Sequence, residues 1–201
     1  MSYRNRGNVS LSLGEKILWE AKPKQSAFLI TKSCTLLPIA VLWLIVDLSA
    51  IRDMSVRGDF SLSNLIFFAF HLMPVWIWLG NVISAVRRYH NTNYYLTNKR
   101  IIIQQGFLSV NETTLYYKEL RNISFRVDFI DKIFGVGDIC FDIGRYDHKG
   151  RPVLFTFEEL KYPDEEYQRI QRIIFDIQTD IEYPNALRPN KNFGYNTDYN
   201  G

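Results

Sequence analysis

The chain has 201 residues, 47% of them hydrophobic and 15% aromatic, which excludes global disorder and leaves room for one or two folded units. Its formal net charge is +3, and residues 87–180 carry fourteen Lys/Arg against fourteen Asp/Glu, so the polar half is neutral. A neutral surface lacks the basic footprint that non-specific nucleic-acid binding needs, and no nucleic-acid partner is expected.

Residues 1–25 read as a basic, cytoplasmic arm, in which Arg4, Arg6, Lys16, Lys22 and Lys24 face only Glu15 and Glu20. Two apolar blocks follow. Residues 26–51 carry no charge from 33 to 46, with Lys32 near one end and Asp47 near the other. Residues 60–86 carry no formal charge at all. At ~1.5 Å per residue each block can cross a hydrocarbon core of ~30 Å. Trp76 and Trp78, with Arg87, Arg88 and Tyr89 after them, have the composition of an interfacial anchor. The stretch "RDMSVRGD" between the blocks reads as a short turn, so the pair is predicted to be a transmembrane hairpin. Basic residues on the arm and after residue 86 outnumber Arg52 and Arg57 in the turn, which puts both termini in the cytoplasm.

Pro38 and Pro74 fall near the middle of the blocks and are expected to kink them. Thr35, Asn64 and His71 are polar residues inside them. With no acid at mid-span for His71 to couple to, bonding between helices is the favoured reading over a lined pathway. Cys34 and Cys140 fall in different parts of the chain and match no metal or redox spacing.

From residue 90 the pattern switches to period two. Ile123, Phe125, Val127 and Phe129 alternate with polar residues, as do Ile139, Phe141 and Ile143, and Val153, Phe155 and Phe157. Such alternation predicts half-buried antiparallel strands, separated by turns at 97–99, from Gly106, at 135–137 and from Tyr146. Only residues 86–93 separate the second apolar block from the first strand, so there is no flexible linker. Pro163 followed by Asp164, Glu165 and Glu166 opens a helix whose Ile170, Ile173, Ile174, Ile177 and Ile181 form one narrow stripe. A single apolar stripe after a run of strands is suited to capping an open barrel end. Residues 182–201 read as a flexible tail.

Three stretches in order, "GEKILWEAKPKQ", "YYLTNKRIIIQQGFL" and "LRNISFRVDFIDKIFGVGDICF", are similar to motifs of the bacterial PH-like domain family in its membrane-anchored, YdbS-like form. The resemblance covers about residues 14–180. It implies an α+β membrane protein: two transmembrane helices, then a PH-like antiparallel β-barrel over residues 90–181 capped by a C-terminal helix. It also implies a multi-pass protein of the bacterial inner membrane. The motif residues have structural roles: Asn98 and Gly106 suit tight turns, while Leu96, Ile101 and Ile103 would fill the barrel. The resemblance therefore leaves the ligand open.

Catalytic signatures are missing from the sequence, and His71, His90 and His148 fall in places that do not converge. No catalytic residue, cofactor or metal is expected. Glu158, Glu159, Asp164, Glu165 and Glu166 read as the solvated start of the last helix. Arg87, Arg88, Lys99 and Arg100 are the candidate membrane-surface contacts, Lys99 and Arg100 as a solvated turn near an anionic leaflet, each of these two worth ~1 kcal/mol at most. With only Lys99 and Arg100 in the first hairpin, phosphoinositide recognition is not expected. The partners expected are the bilayer itself and a protein, or a second copy of the chain, bound by an interaction module. The alternative is an oligomeric transport or pore component built around His71 and Asn64.

Overall fold

The structure is a computed structural model that describes residues 9–59 and 61–182. Arg4, Arg6, Phe60 and the expected tail from residue 183 lie outside them.

The first element is a strand, β1 (Ile17–Ala21), in the segment read as a basic arm. It pairs antiparallel with β2 (Asn93–Thr97), which lies beyond both apolar blocks, with Trp19 opposite Leu96 and Ala21 opposite Tyr94. The β domain therefore starts before the helices and resumes after them. The helical hairpin is an insertion between two neighbouring strands.

That insertion begins with α1 (Gln25–Ser33), passes through a 3-10 turn (Cys34–Leu36) and continues as α2 (Leu37–Arg57). The stretch read as a turn is mostly the end of α2. The helix stops where Gly58 takes a left-handed conformation at φ 73, with Gly58 N–H bonded to Ser55 O and Asp59 N–H to Met54 O. The second apolar block is two helices, α3 (Leu62–His71) and α4 (Met73–Asn91), bent by 51° at Leu72. Pro74 brings no N–H for the carbonyl of Phe70, which explains the break. Two indoles bond carbonyls beside it: Trp43 Nε1 donates to His71 O at 2.7 Å and Trp76 Nε1 to Ala69 O at 3.0 Å. The proline expected to kink the span does sit at the bend.

After α4 only Thr92 intervenes before β2. The order β1-β2-β3-β4 makes one antiparallel sheet, with β3 (Arg100–Gln105) and β4 (Asn111–Tyr116). A second sheet has the order β5-β6-β7, from β5 (Asn122–Arg126), β6 (Val136–Tyr146) and β7 (Pro152–Lys161). The hydrogen-bonded ladders form two sheets facing one core, where one closed barrel was expected.

The alternation expected through Phe129 ends at β5. Asp128 instead caps a short helix, α5 (Phe129–Phe134), in a reciprocal box with Asp131. The Asn98 turn also differs: Asn98 does not take a positive φ. It works by hydrogen bonding, accepting from Lys16 N–H at 2.8 Å and donating its own N–H to Lys16 O at 3.0 Å. Its turn thus holds the start of β1.

Between the sheets lie Leu96, Ile101, Ile103, Ile139 and Phe141, as their period-two positions require. Phe157 is the hub, with ring centroids 5.4 Å from Trp19 and 4.7 Å from both Tyr94 and Phe141. The last helix, α6 (Pro163–Glu182), closes this core with Ile170, Ile173, Ile174 and Ile177, while Ile181 packs at its margin.

Candidate functional site

The place where helices meet sheets is built around Glu159, near the end of β7. Its backbone is left-handed, at φ 56, which a residue with a Cβ adopts only when its surroundings require it. Those surroundings are visible: Glu159 O accepts Lys24 N–H at 2.8 Å, and Glu159 N–H donates to Asp138 Oδ1 at 3.0 Å. The first bond ties the entry of α1 to β7. The side chain is 3% exposed, and its Oε2 has no hydrogen-bond partner among the described residues. Burial first, then the charges of Asp131, Asp138 and Glu158, pushes the Glu159 carboxyl up to about 7 against a lowering by the Thr31 hydroxyl of α1.

The acidic run was expected to be solvated, and Glu159 corrects that. It follows Val153, Phe155 and Phe157 at period two, so the strand pattern already aims it inward. Its neighbour Glu158 pairs with Lys32 of α1 at 2.9 Å, and Lys24 Nζ donates to Phe134 O at 2.6 Å. Glu166 accepts from Trp19 Nε1 at 2.7 Å. The acids of this run thus fasten α1, β1 and the core.

The four candidate basic contacts separate into two pairs. Arg87 and Arg88 lie together on the last turns of α4, where the Arg87 guanidinium stands 5.6 Å from the Phe107 ring centroid. Lys99 and Arg100 are at the other end of the β2–β3 hairpin, about 15 Å away along a five-residue strand. Arg100 is also occupied. Its Nε and Nη2 donate to the two Glu15 oxygens at 2.9 and 3.2 Å, and burial of Glu15 is outweighed so that its carboxyl stays below the usual range. Lys99 Nζ donates to Leu13 O at 2.8 Å. These two residues clasp the segment before β1.

Inside the hairpin, Asp47 is 1% exposed and shares a 2.7 Å hydrogen bond between its Oδ1 and His71 Nδ1. The His71 ring is held between Trp43 and Phe67, at 5.3 and 5.0 Å. The sequence puts Asp47 near the end of its block and offers His71 no acid partner, and this pair overturns both expectations. The two residues are 24 apart in sequence, so only the folded hairpin brings them together. Asn64 does not join them: its N–H bonds Ser61 Oγ and its side chain donates to Asp59 O, capping α3.

A cleft of about 470 Å³ opens between the end of β1, the last turn of α4 and the start of α6, lined in part by Lys22, Tyr89, Lys161 and Tyr162. Among the described residues, no three of His, Cys, Asp and Glu are grouped to hold a metal ion. A match to a family model described as the bacterial PH domain runs over residues 36–175. No curated protein and no solved structure matches the chain. The match takes in the hairpin from α2 onward, both sheets from β2 onward and most of α6, which is well over half of the chain. Two antiparallel sheets closed by a C-terminal helix, together with that match, make this chain a member of the bacterial PH domain family.

Proposed function

We propose that this chain is an interaction module anchored in a bacterial inner membrane by its inserted hairpin, with the PH-like domain and both termini on the cytoplasmic side and no catalytic role. The observation that carries this reading is the outward face of the helices. Ile39, Leu42, Ile45, Val46, Leu65, Ile66 and Phe70 are all exposed, and only 11% of the most apolar window of residues 25–57 is buried. A core helix of a water-soluble protein buries such residues, and an exposed apolar surface this extensive wants a hydrocarbon phase. Lys22, Lys24, Arg87 and Arg88 at the two roots, against Arg52 and Arg57 at the far turn, support the orientation.

The insertion also supports a scaffold role. Both ends of the hairpin are rooted in adjacent strands of one sheet, so the domain is held at the membrane by two short connections. A tethered domain gains effective concentration for partners in the same plane. A protein or a second copy of the chain is the partner class proposed. Two measurements test the reading. Alkaline carbonate washing of native membranes is expected to leave the chain in the pellet, and its release would sink the anchor. Crosslinking in those membranes is expected to capture one protein, or the chain itself, reproducibly on the domain; background alone would sink the module.

The Asp47–His71 pair favours one second reading, a conduit component, because ionisable groups among apolar helices often mark a pathway. That reading expects ion or solute flux in vesicles that His71→Leu abolishes. The module reading expects no flux.

A further inference from the structure

Six exposed apolar side chains of the β domain stand on two projections beside the helix roots, while others, such as Leu13 and Phe175, are exposed singly elsewhere. One is the β3–β4 turn, with Phe107, Leu108 and Val110; the other is α5, with Phe129, Ile130 and Ile133. β2 leaves α4 and β3 returns antiparallel to it, so the β3–β4 turn points back along α4. Asn91 Nδ2 donates to the carbonyls of Gly106 and Phe107, both at 3.3 Å, and Arg87 stands over the Phe107 ring. α5 packs against α1, and the Lys24 ammonium bonds its last carbonyl.

The burial of α5 is inverted for a helix facing water. Its one acid, Asp131, is 4% exposed and turned inward, whereas Phe129 is 79% and Ile133 66% exposed. The turn is equally committed. A Cβ on Gly106 would meet Ser109 O at 1.8 Å, so the loop closes tightly on itself and holds Leu108 out at its tip, 77% exposed.

Resting on the anchored reading, we propose that these two projections insert into the interfacial layer of the leaflet that the hairpin enters, so that a phospholipid surface covers them. Continuity with the exposed apolar face of the helices argues for lipid. So does charge: Arg87 and Arg88 flank the first projection and exposed Lys132 lies within the second, which places cations beside apolar side chains as an anionic headgroup layer over hydrocarbon requires. The domain is then held at four points, two roots and two insertions. Its opposite end, with the 147–151 turn, is left facing the cytoplasm for a protein partner.

The full-length chain, with Cys34→Ser and Cys140→Ser, can carry one environment-sensitive fluorophore at a time in vesicles of phosphatidylethanolamine and phosphatidylglycerol. Labels go on Leu108→Cys, Ile133→Cys, Tyr146→Cys and Ile45→Cys, with quenching by lipids brominated high on the acyl chain. Labels at 108 and 133 are expected to be quenched several-fold more than the label at 146, with the label at 45 quenched as well. Quenching at 45 with 108 and 133 no different from 146 overturns the insertion and leaves the anchor standing. No quenching at 45 overturns the anchor, and the insertion with it.

Discussion

A carboxylic acid buried among other acids is more easily protonated than in water, and Glu159 is in that position. Its folded-state value of about 7 lies above its ordinary 4.5, so the folded chain holds the proton more tightly than the unfolded one. The stabilisation is complete at pH below the unfolded value, is lost as pH rises through 7, and amounts to up to about 3 kcal/mol. Glu15, whose value is lowered, works in the opposite sense at acid pH. The difference between wild type and Glu159→Gln isolates the effect. We expect the variant to melt higher than wild type at pH 8, with the gap closing towards pH 5, in detergent melts; a gap independent of pH would contradict this. Asp47 sets a second expectation. His71→Leu leaves a buried carboxylate without its partner, at a cost of about 3 kcal/mol, and adding Asp47→Leu should restore most of the lost melting temperature. If the double variant melts no higher than the single one, the pair is not what the bond geometry indicates.

The elements differ in how far local pattern specifies them. α6 was legible in its isoleucine stripe, and β5, β6 and β7 in period-two alternation, because each signal lies within one short window, whereas β2 and β3 were reached through the motif that carries Leu96, Ile101 and Ile103. β1 was not. "ILWEA" is five residues among charges, and what makes it a strand is pairing with residues more than seventy positions away. The same holds for Asp47 and His71, whose meeting depends on the hairpin closing. Glu159 was legible in principle, since the β7 alternation reaches it, but the acidic residues after it masked the phase. Turns give a sharp test of element-scale geometry. Gly106→Ala places a methyl against a backbone carbonyl and should cost about 2–3 kcal/mol, whereas Gly58→Ala meets nothing and pays only for its left-handed φ, about 1 kcal/mol. Comparison of the two melting temperatures checks the ranking.

At the scale of the whole molecule, the hairpin is an insertion within one β domain, and this changes what can be cut away. A fragment of residues 89–182 lacks β1 and with it Trp19, which stacks on Phe157, so it is expected to be poorly folded and prone to aggregate. Joining residues 9–24 to residues 91–182 by a short Gly/Ser linker restores the edge strand. That chain should be soluble and strand-rich by circular dichroism. The converse result, a well-folded 89–182 fragment, would remove β1 from the core. The proposed topology puts the far turn of the hairpin and the 147–151 turn on opposite sides of the membrane, and this is tested most directly by labelling intact cells with a membrane-impermeant thiol reagent. In a background lacking Cys34 and Cys140, a chain carrying Ser55→Cys should be labelled in intact cells. One carrying His148→Cys should be labelled only after the membrane is opened. Labelling of both in intact cells, or of neither until lysis, would contradict a hairpin that crosses the bilayer and returns.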